Sequence, residues 1–465
     1  MLQQPVSGGT KVEQVMALIR GRIERRALAA GARLPSVRAM AQSMSLSKST
    51  VVEAYDRLAA EGVIHARPGS GFYVAPVLAP FAIADVEPDR EREVDPIWAL
   101  RLSLSGRPEA LKPGGGWLPE SWLPQDLLRK GLRHLARHGD ADTLLGHGSP
   151  LGLATLRQLI ARRLLDQTIE ASPDQILLTA SGTQAIDLVC RYLIEPGDAV
   201  LVDDPTYFNF HALLRAHRAK VIGVPFTPQG PDVEAFARAV AAHAPRLYIT
   251  NSGVHNPTGA TLSAQIARRV LKIAQAGSMV IVEDDIFADF ETTQAARYAN
   301  FDGLDTVIRV GSFSKALSGS LRVGHIAARP DWIAGLADLR MATGMPGNSV
   351  NAELVHQILT DGSYRRHMEQ IRARLADARG VAIRRLKAIG MTPWIEPAAG
   401  MFLWCRLPDG VEATALARRA LAQDIVLAPG NVFSSAQTAS NYLRFNVAMM
   451  DDPRLDATLA RLCAG

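Results

Sequence analysis

The segment SFSKALSGSLRVG, residues 312–324, sets one lysine, Lys315, among serines and glycines and places Arg322 seven residues later. A loop lysine is ordinarily a solvated charge, so its meaning depends on the groups the chain brings to it. Three polar groups stand at the ends of short apolar runs: Ser181-Gly182-Thr183 after QILLTA, Asn256 in HNPTG beyond RLYIT, and Asp284 closing the run in MVIVEDD. Tyr207 lies in DDPTYFNF, and Ser312 and Ser314 precede the lysine. A lysine amine condenses with an aldehyde as a Schiff base and, once freed, moves protons. A carboxylate such as Asp284 keeps a pyridine nitrogen protonated and the ring electron-withdrawing. Helix-opening N–H groups at Ser181, Gly182 and Thr183, the hydroxyls of Ser312 and Ser314, and the Arg322 guanidinium suit a phosphate. The Asn256 amide can donate to a ring oxygen, and Tyr207 can stack on a ring. One small molecule carries all these atoms, pyridoxal 5'-phosphate.

Singly, each residue has a plain structural reading: a helix cap for Ser-Gly-Thr, a strand end for Asp284, a core ring for Tyr207. Their order makes the difference. From residue 150 onward the runs QILLTA, AVLVDD, KVIGVPF, RLYIT, MVIVEDD, TVIRVGSF and GHIAA alternate with helical patterns. Such alternation predicts a mainly parallel sheet covered by helices, with ligands at the carboxyl ends of the strands, where these polar residues fall.

The first 75 residues are different. They hold ten Lys/Arg against five Asp/Glu, leaving 41 of each sign in the rest of the chain, so all of the +5 formal excess is at one end. A cationic cluster of this kind points to a polyanionic partner. In TKVEQVMALIRGRIERRALAAGARLPS, Val12, Val15, Met16, Ile19 and Ile23 recur at helical spacing, with Gly31 and Pro35 closing the helix. SVRAMAQSM reads as a second helix, and SLSKSTVVEAYDRLAAEG as a third, with Ser47 as N-cap. VIHARPGSGFYV reads as two short strands around a turn. Three helices and a two-stranded wing make a winged helix-turn-helix, whose third helix enters the major groove by its N-terminal end, at Lys48, Ser49 and Thr50. The plainer reading is a small helical cap on an enzyme.

Between the two lies a connector, residues 76–113, with six prolines and the charge run EPDRERE. The expected organisation is therefore residues 1–75, DNA binding; 76–113, linker; and 114–465, with a large part over about 150–345 and a small part over about 346–465 plus the segment before 150. Cys190, Cys405 and Cys463 are too few and too scattered for a disulfide frame or a zinc site, and a reducing cytoplasm is expected. Neither a signal-peptide core nor an apolar run of about 18 residues is visible, so no membrane partner is expected.

The stretch RLPSVRAMAQSMSLSKSTVVEAYDRLAAEGVIHARPGSGFYV resembles the DNA-binding domain of GntR-type bacterial regulators. The resemblance implies backbone contacts at Arg33, Ser36 and Arg38, a recognition-helix start at Ser47, Lys48, Ser49 and Thr50, and a wing from Arg67 through Gly69 to Gly71. Residues 114–463 resemble fold-type I aminotransferases through SGTQ, HNPTG, VEDD and SFSKALSGSLRVG. Together they resemble a MocR-type regulator: an N-terminal winged helix-turn-helix joined to an α/β, fold-type I aminotransferase-like domain with a smaller α+β subdomain. That family implies Lys315 on the aldehyde, Asp284 on the ring nitrogen, Asn256 on the ring oxygen, Tyr207 stacked, and Ser181, Gly182, Thr183, Ser312, Ser314 and Arg322 on the phosphate. It also implies that Arg444, in NYLRFNVA, grips an effector carboxylate, and that the chain forms a head-to-tail, domain-swapped homodimer on double-stranded DNA.

Three departures stand out. Ile286 and Phe287 occupy the place where the family often has a tyrosine near Asp284, His147 replaces a tyrosine that commonly reaches the neighbouring subunit's phosphate, and Ser318-Gly319-Ser320 replaces a Pro-Gly pair. Three functions stay open at this level: a regulator sensing an amino compound or the cofactor, a working aminotransferase with a DNA-binding head, and a cofactor-free dimerisation platform.

Overall fold

The computed structural model describes residues 10–25, 27–29, 31–67, 70–75, 98, 101–102, 104 and 109–464, in two compact units, Met1–Glu87 and Pro88–Gly465. Gly69 and most of the expected connector lie outside the described residues.

In the first unit, Thr10 opens helix α1 (Lys11–Glu24) through a capping box with Glu13. The apolar face of α1, with Val15 and Ile19 fully buried, packs against Met40 of α2 (Val37–Met44) and against Val51, Tyr55 and Leu58 of α3 (Lys48–Ala60). The Tyr55 hydroxyl donates to Pro35 O at 2.8 Å, which ties α3 to the approach to α2. Strands β1 (Ile64–Arg67) and β2 (Gly71–Val74) pair antiparallel. The first helix ends earlier than its periodicity predicts. The amides of Ala27 and Leu28 turn back to Arg22 O, and residues 31–34 cross beside β2 through Gly31 N to Val74 O and Leu34 N to Phe72 O. Gly31, at φ 79°, therefore opens a third strand-like crossing of the wing instead of closing a helix.

The second unit is built on an eight-stranded sheet of order β3-β10-β9-β8-β7-β4-β5-β6. Its strands are β3 (Ile176–Thr179), β4 (Ala199–Asp204), β5 (Lys220–Thr227), β6 (Gly230–Pro231), β7 (Leu247–Thr250), β8 (Val280–Asp284), β9 (Val307–Ser312) and β10 (Gly324–Ala327). The pairs β4/β5, β4/β7, β7/β8 and β8/β9 are parallel. Strand β10 runs antiparallel between β3 and β9, and β6 is a short antiparallel edge. One face is covered by Ile186 and Val189 of the helix Gly182–Leu193 and Leu336 of the helix Pro330–Gly344. The other is covered by Ile160, Phe236 and Val270, from the helices Ala154–Asp166, Val233–His243 and Ala264–Ala276. With both faces buried the strands read as continuous apolar runs, which made them legible.

A smaller antiparallel sheet, β11 (Thr392–Pro393), β12 (Phe402–Arg406), β14 (Tyr442–Asn446) and β13 (Ala428–Pro429) in that order, packs with the 26-residue helix Ser363–Ala388. The segment at residues 111–114 runs along it: Leu111 bridges Ile425, Gly114 N donates to Val426 O, and Asn446 N donates to Pro113 O. Among the described residues no helix is long and apolar enough to cross a membrane.

Candidate cofactor site and DNA-reading surface

The carboxyl ends of β7, β8 and β9 deliver Asn256, Asp284 and Lys315 to one place. A small cavity is lined by Lys315, Asn256, Tyr207 and Arg444 together with Trp117 and Phe287. The Lys315 ammonium donates to Gly116 O at 2.7 Å and lies 4.8 Å from the Trp117 ring centre. Burial pulls its pKa down to about 7, Arg444 adds to the effect, and Asp284 opposes it. Burial pushes Asp284 the other way, up to about 7, against the hydrogen bonds from Ile286 N and Asn251. A buried carboxyl of this kind is stabilised as the anion by a cation brought beside it, such as a protonated ring nitrogen.

Arg444 projects from β14 and is 2 % exposed. Its terminal nitrogens donate to Asn256 Oδ1 at 2.9 Å and Gly114 O at 2.7 Å, its Nε has no partner, and its guanidinium lies 4.4 Å from the Phe402 ring centre. Burial lowers its pKa to about 10. With Asn256 Oδ1 taken by Arg444, the amide Nδ2 is the group left to donate into the cavity. Tyr207 caps the helix Phe208–Ala216, and burial pushes its hydroxyl up to about 12.

A second group adjoins the first through Ile286. Ser181 is the buried N-cap of the helix Gly182–Leu193 and accepts from Gln184 N at 3.0 Å. A β-carbon on Gly182 would lie 3.2 Å from Ile286 Cγ2 and 3.7 Å from Ser312 Cβ, so only glycine leaves the space open. Ser312 and Ser314 hydroxyls bond each other at 3.1 Å. A helix N-terminus, two hydroxyls and an open glycine suit a phosphate, and the lysine, carboxyl and amide suit the ring, so the residues present fit pyridoxal phosphate. Thr183 and Arg322 are exposed, with Arg322 at φ 52° and its carbonyl accepting from Asn348. Phe287 is buried edge-on against Phe402, and His147 is exposed. Pattern reading did not reach Gly116, Trp117 or Asn446; only the GGG run at 114–116 marked a place of close backbone approach.

In the first unit, Arg33, Arg38, Lys48, Ser49 and Arg67 are exposed, and Thr50 is half-buried. Ser36 and Ser47 are the N-caps of α2 and α3, accepting from Ala39 N and Thr50 N, each at 3.2 Å. Ser47 Oγ also bonds Ser49 Oγ and Thr50 Oγ1. These two serines are thus committed first to helix ends. The Arg67 guanidinium stacks over Tyr73 at 4.5 Å.

Residues 11–74 match the family model of bacterial regulatory proteins of the gntR family, and residues 118–462 match aminotransferase class I and II. The chain belongs to the class I and II aminotransferase family. With the GntR head in front it is a regulator of the MocR type, a pyridoxal-phosphate-dependent DNA-binding transcriptional regulator with an aminotransferase-like domain. It is 29 % identical over 462 residues to the HTH-type transcriptional regulator YdcR of Escherichia coli, covering 97 % of this chain and 98 % of that one. It is 28 % identical to a 2-aminoadipate transaminase of Thermus thermophilus, over 78 % of this chain and 91 % of the relative. Among solved structures it is similar to α-aminoadipate aminotransferase from Thermus thermophilus complexed with N-(5'-phosphopyridoxyl)-L-leucine, at 26 % identity and a TM-score of 0.71, covering 79 % of this chain and 93 % of that one. The relatives matched over nearly the whole chain are the ones that carry a reading head.

Proposed function

We propose that this MocR-type chain senses an amino compound bearing a carboxylate, in the cytoplasm where its DNA is, and answers by changing how a homodimer sets its two reading heads. The observation that carries the reading is Arg444: a guanidinium at 2 % exposure whose hydrogen-bond partners are the neutral oxygens of Asn256 and Gly114, with Nε unpartnered. A buried cation in that state gains most from an anion that accepts two parallel N–H bonds, and a carboxylate does this. When bound, pyridoxal phosphate supplies an aldehyde for the lysine and an electron-withdrawing ring.

This chain's own residues do the rest. Lys315, with its ammonium proton held loosely near pH 7, would provide the amine that holds the coenzyme's aldehyde and could give or take a proton there. Asp284 would hold the proton at the ring nitrogen, the Asn256 amide would orient the ring oxygen, Tyr207 would stack, and Ser181, Gly182, Thr183, Ser312, Ser314 and Arg322 would hold the phosphate. In the head, Lys48, Ser49 and Thr50 face the major groove, while Arg33, Arg38 and the wing from Arg67 through Gly69 hold the backbone. Exposed Leu144 and Leu145, at 45 % and 82 %, supply apolar area beside His147 for a head-to-tail homodimer.

The test follows visible absorbance and DNA binding together in the full chain, with borohydride to fix the coenzyme. Lys315→Ala abolishes fixation. Arg444→Gln keeps fixation and weakens the response to carboxylated amines by about 30-fold or more, the usual cost of unpairing a buried charge pair. Unchanged DNA binding across pyridoxal phosphate and amino compounds overturns the sensor reading, and steady transamination at about 1 per second or faster would replace it with an enzyme.

A further inference from the structure

Asp203, near the end of β4 and shortly before Tyr207, is fully buried, and among the described residues no arginine or lysine pairs with it. Its carboxylate is held by neutral donors instead. The Tyr248 hydroxyl donates to Oδ1, the Thr250 hydroxyl donates to Oδ2 at 2.6 Å, and the His255 ring meets Oδ2 through Nε2 at 3.2 Å. Burial, with the carboxylate beside it, holds the Tyr248 hydroxyl well above its ordinary pKa, so it stays a donor. His255 is also fully buried; Phe226 stacks on its ring with centres 3.9 Å apart, and its Nδ1 is 2.7 Å from Thr258 Oγ1. Thr258 Oγ1 accepts from Ala260 N, which leaves its own proton for Nδ1 and puts the ring hydrogen on Nε2, toward Asp203. The bond pattern thus assigns one tautomer, and one direction, to the chain from Thr258 through His255 to Asp203.

Burying a carboxylate among neutral donors costs free energy that an apolar contact between β4 and β7 would not. What the chain adds is direction, because hydrogen bonds fix a place where apolar contacts tolerate sliding. The loop so fixed is the one that carries Asn256. It closes on itself through Gly259 N to His255 O at 2.7 Å and Leu262 N to Ser252 O at 3.0 Å, and the His255 ring ties it down to the ends of β4 and β7. Building on the reading of Asn256 as the donor to the ring oxygen, we propose that Asp203 and His255 are positioning residues for the coenzyme ring, acting through Asn256. Two groups divide the work. Arg444 donates to Asn256 Oδ1 at 2.9 Å and so sets which way the amide faces. His255 sets where its backbone stands, since Asn256 follows it directly and a displaced His255 passes its movement on through one planar peptide unit. A donor held at the ring oxygen favours the anionic form of that oxygen, and so lowers the bound coenzyme's affinity for the proton that changes its visible absorbance.

The test is a pH titration of visible absorbance in the full chain loaded with pyridoxal phosphate, with borohydride fixation at Lys315 measured in parallel. Asn256→Ala should raise the midpoint, and His255→Leu should raise it too, by about threefold or more in proton affinity. In the Asn256→Ala background His255→Leu should add nothing, because the residue it acts through is gone; a merely structural histidine would move both backgrounds alike or neither. His255→Gln, whose amide can donate to Asp203 and accept from Thr258, should restore the parent midpoint. If His255→Leu does not fold, Thr258→Val breaks the other end of the chain and should raise the midpoint in the same way. An unmoved midpoint in the folded His255→Leu or Thr258→Val protein, shifts that add in the double variant, or a His255→Gln midpoint equal to that of His255→Leu overturns the positioning role and leaves the sensor reading in place. A midpoint unmoved by Asn256→Ala overturns the ring-oxygen assignment and the positioning role with it. Failure of the coenzyme to attach at Lys315 overturns the sensor reading itself.

Discussion

Burial moves the two charged groups of the cofactor site toward the same pH from opposite sides: Lys315 falls to about 7 and Asp284 rises to about 7. For Asp284 the sign is that of a carboxyl disfavoured by folding. Below its unfolded value of about 3.9 both states carry the proton and no penalty exists; above about 7 both are ionised and the penalty is complete. Asp284→Asn should therefore stabilise the coenzyme-free protein above pH 7, by a few kcal/mol at most, and the gain should fade as pH falls toward 4. Thermal melts of the two proteins across pH, without coenzyme, check this, and a variant equal or less stable at pH 8 contradicts it. Lys315 gives a kinetic counterpart, since only the neutral amine attacks an aldehyde. Coenzyme attachment should rise about tenfold per pH unit below 7 and level off above it. A profile still rising at pH 9 would mean that the lysine keeps its ordinary affinity for protons.

At the scale of elements, α3 shows how one residue type serves two ends. Ser47 caps the helix through Thr50 N and holds Ser49 and Thr50 by their hydroxyls, so the atoms that close the helix stand at the end proposed to enter the groove. Ser47→Ala should destabilise the head by about 1 kcal/mol, measured by chemical denaturation. Lys48→Ala should leave that stability unchanged and relax discrimination at one base pair by about 1–3 kcal/mol in a binding-site selection. Arg38→Ala should instead weaken binding evenly across sequences and reduce the salt slope by about 0.9. The recognition helix, the alternation of strands and helices, and the polar residues at strand ends were all legible, because each is written within a dozen neighbouring residues. Strand direction was not: GHIAA reads like its parallel neighbours, yet β10 runs against both. The end of α1 was misread because the bonds that replace the helix come from Phe72 and Val74, about 40 residues away in sequence. The bonds from Asn446 to Gly115 O and Trp117 O were invisible for the same reason, as they span 331 and 329 residues.

For the whole molecule the question is how a site that binds something small can alter a head that binds DNA. A ligand shifts a domain arrangement only by the difference in its affinity for the two arrangements, and couplings of this kind are typically 1–3 kcal/mol, or about 5- to 150-fold. Arg444 gives such a difference a physical source, since its buried Nε–H has no partner among the described residues and a carboxylate would supply one. Linkage then demands reciprocity. If an amino compound changes affinity for DNA by some factor, a DNA duplex selected in vitro by the full chain must change the apparent affinity for that compound by the same factor. Absorbance titrations of the coenzyme-loaded protein with and without the duplex should give that ratio, and gel-shift titrations with and without the compound should give it independently. Equal ratios above fivefold, both collapsing to one in Arg444→Gln, are the expected outcome. A compound that alters absorbance while both ratios stay at one would show that the second unit binds its ligand without informing the first, leaving the aminotransferase chemistry and the reading head as two functions on one chain.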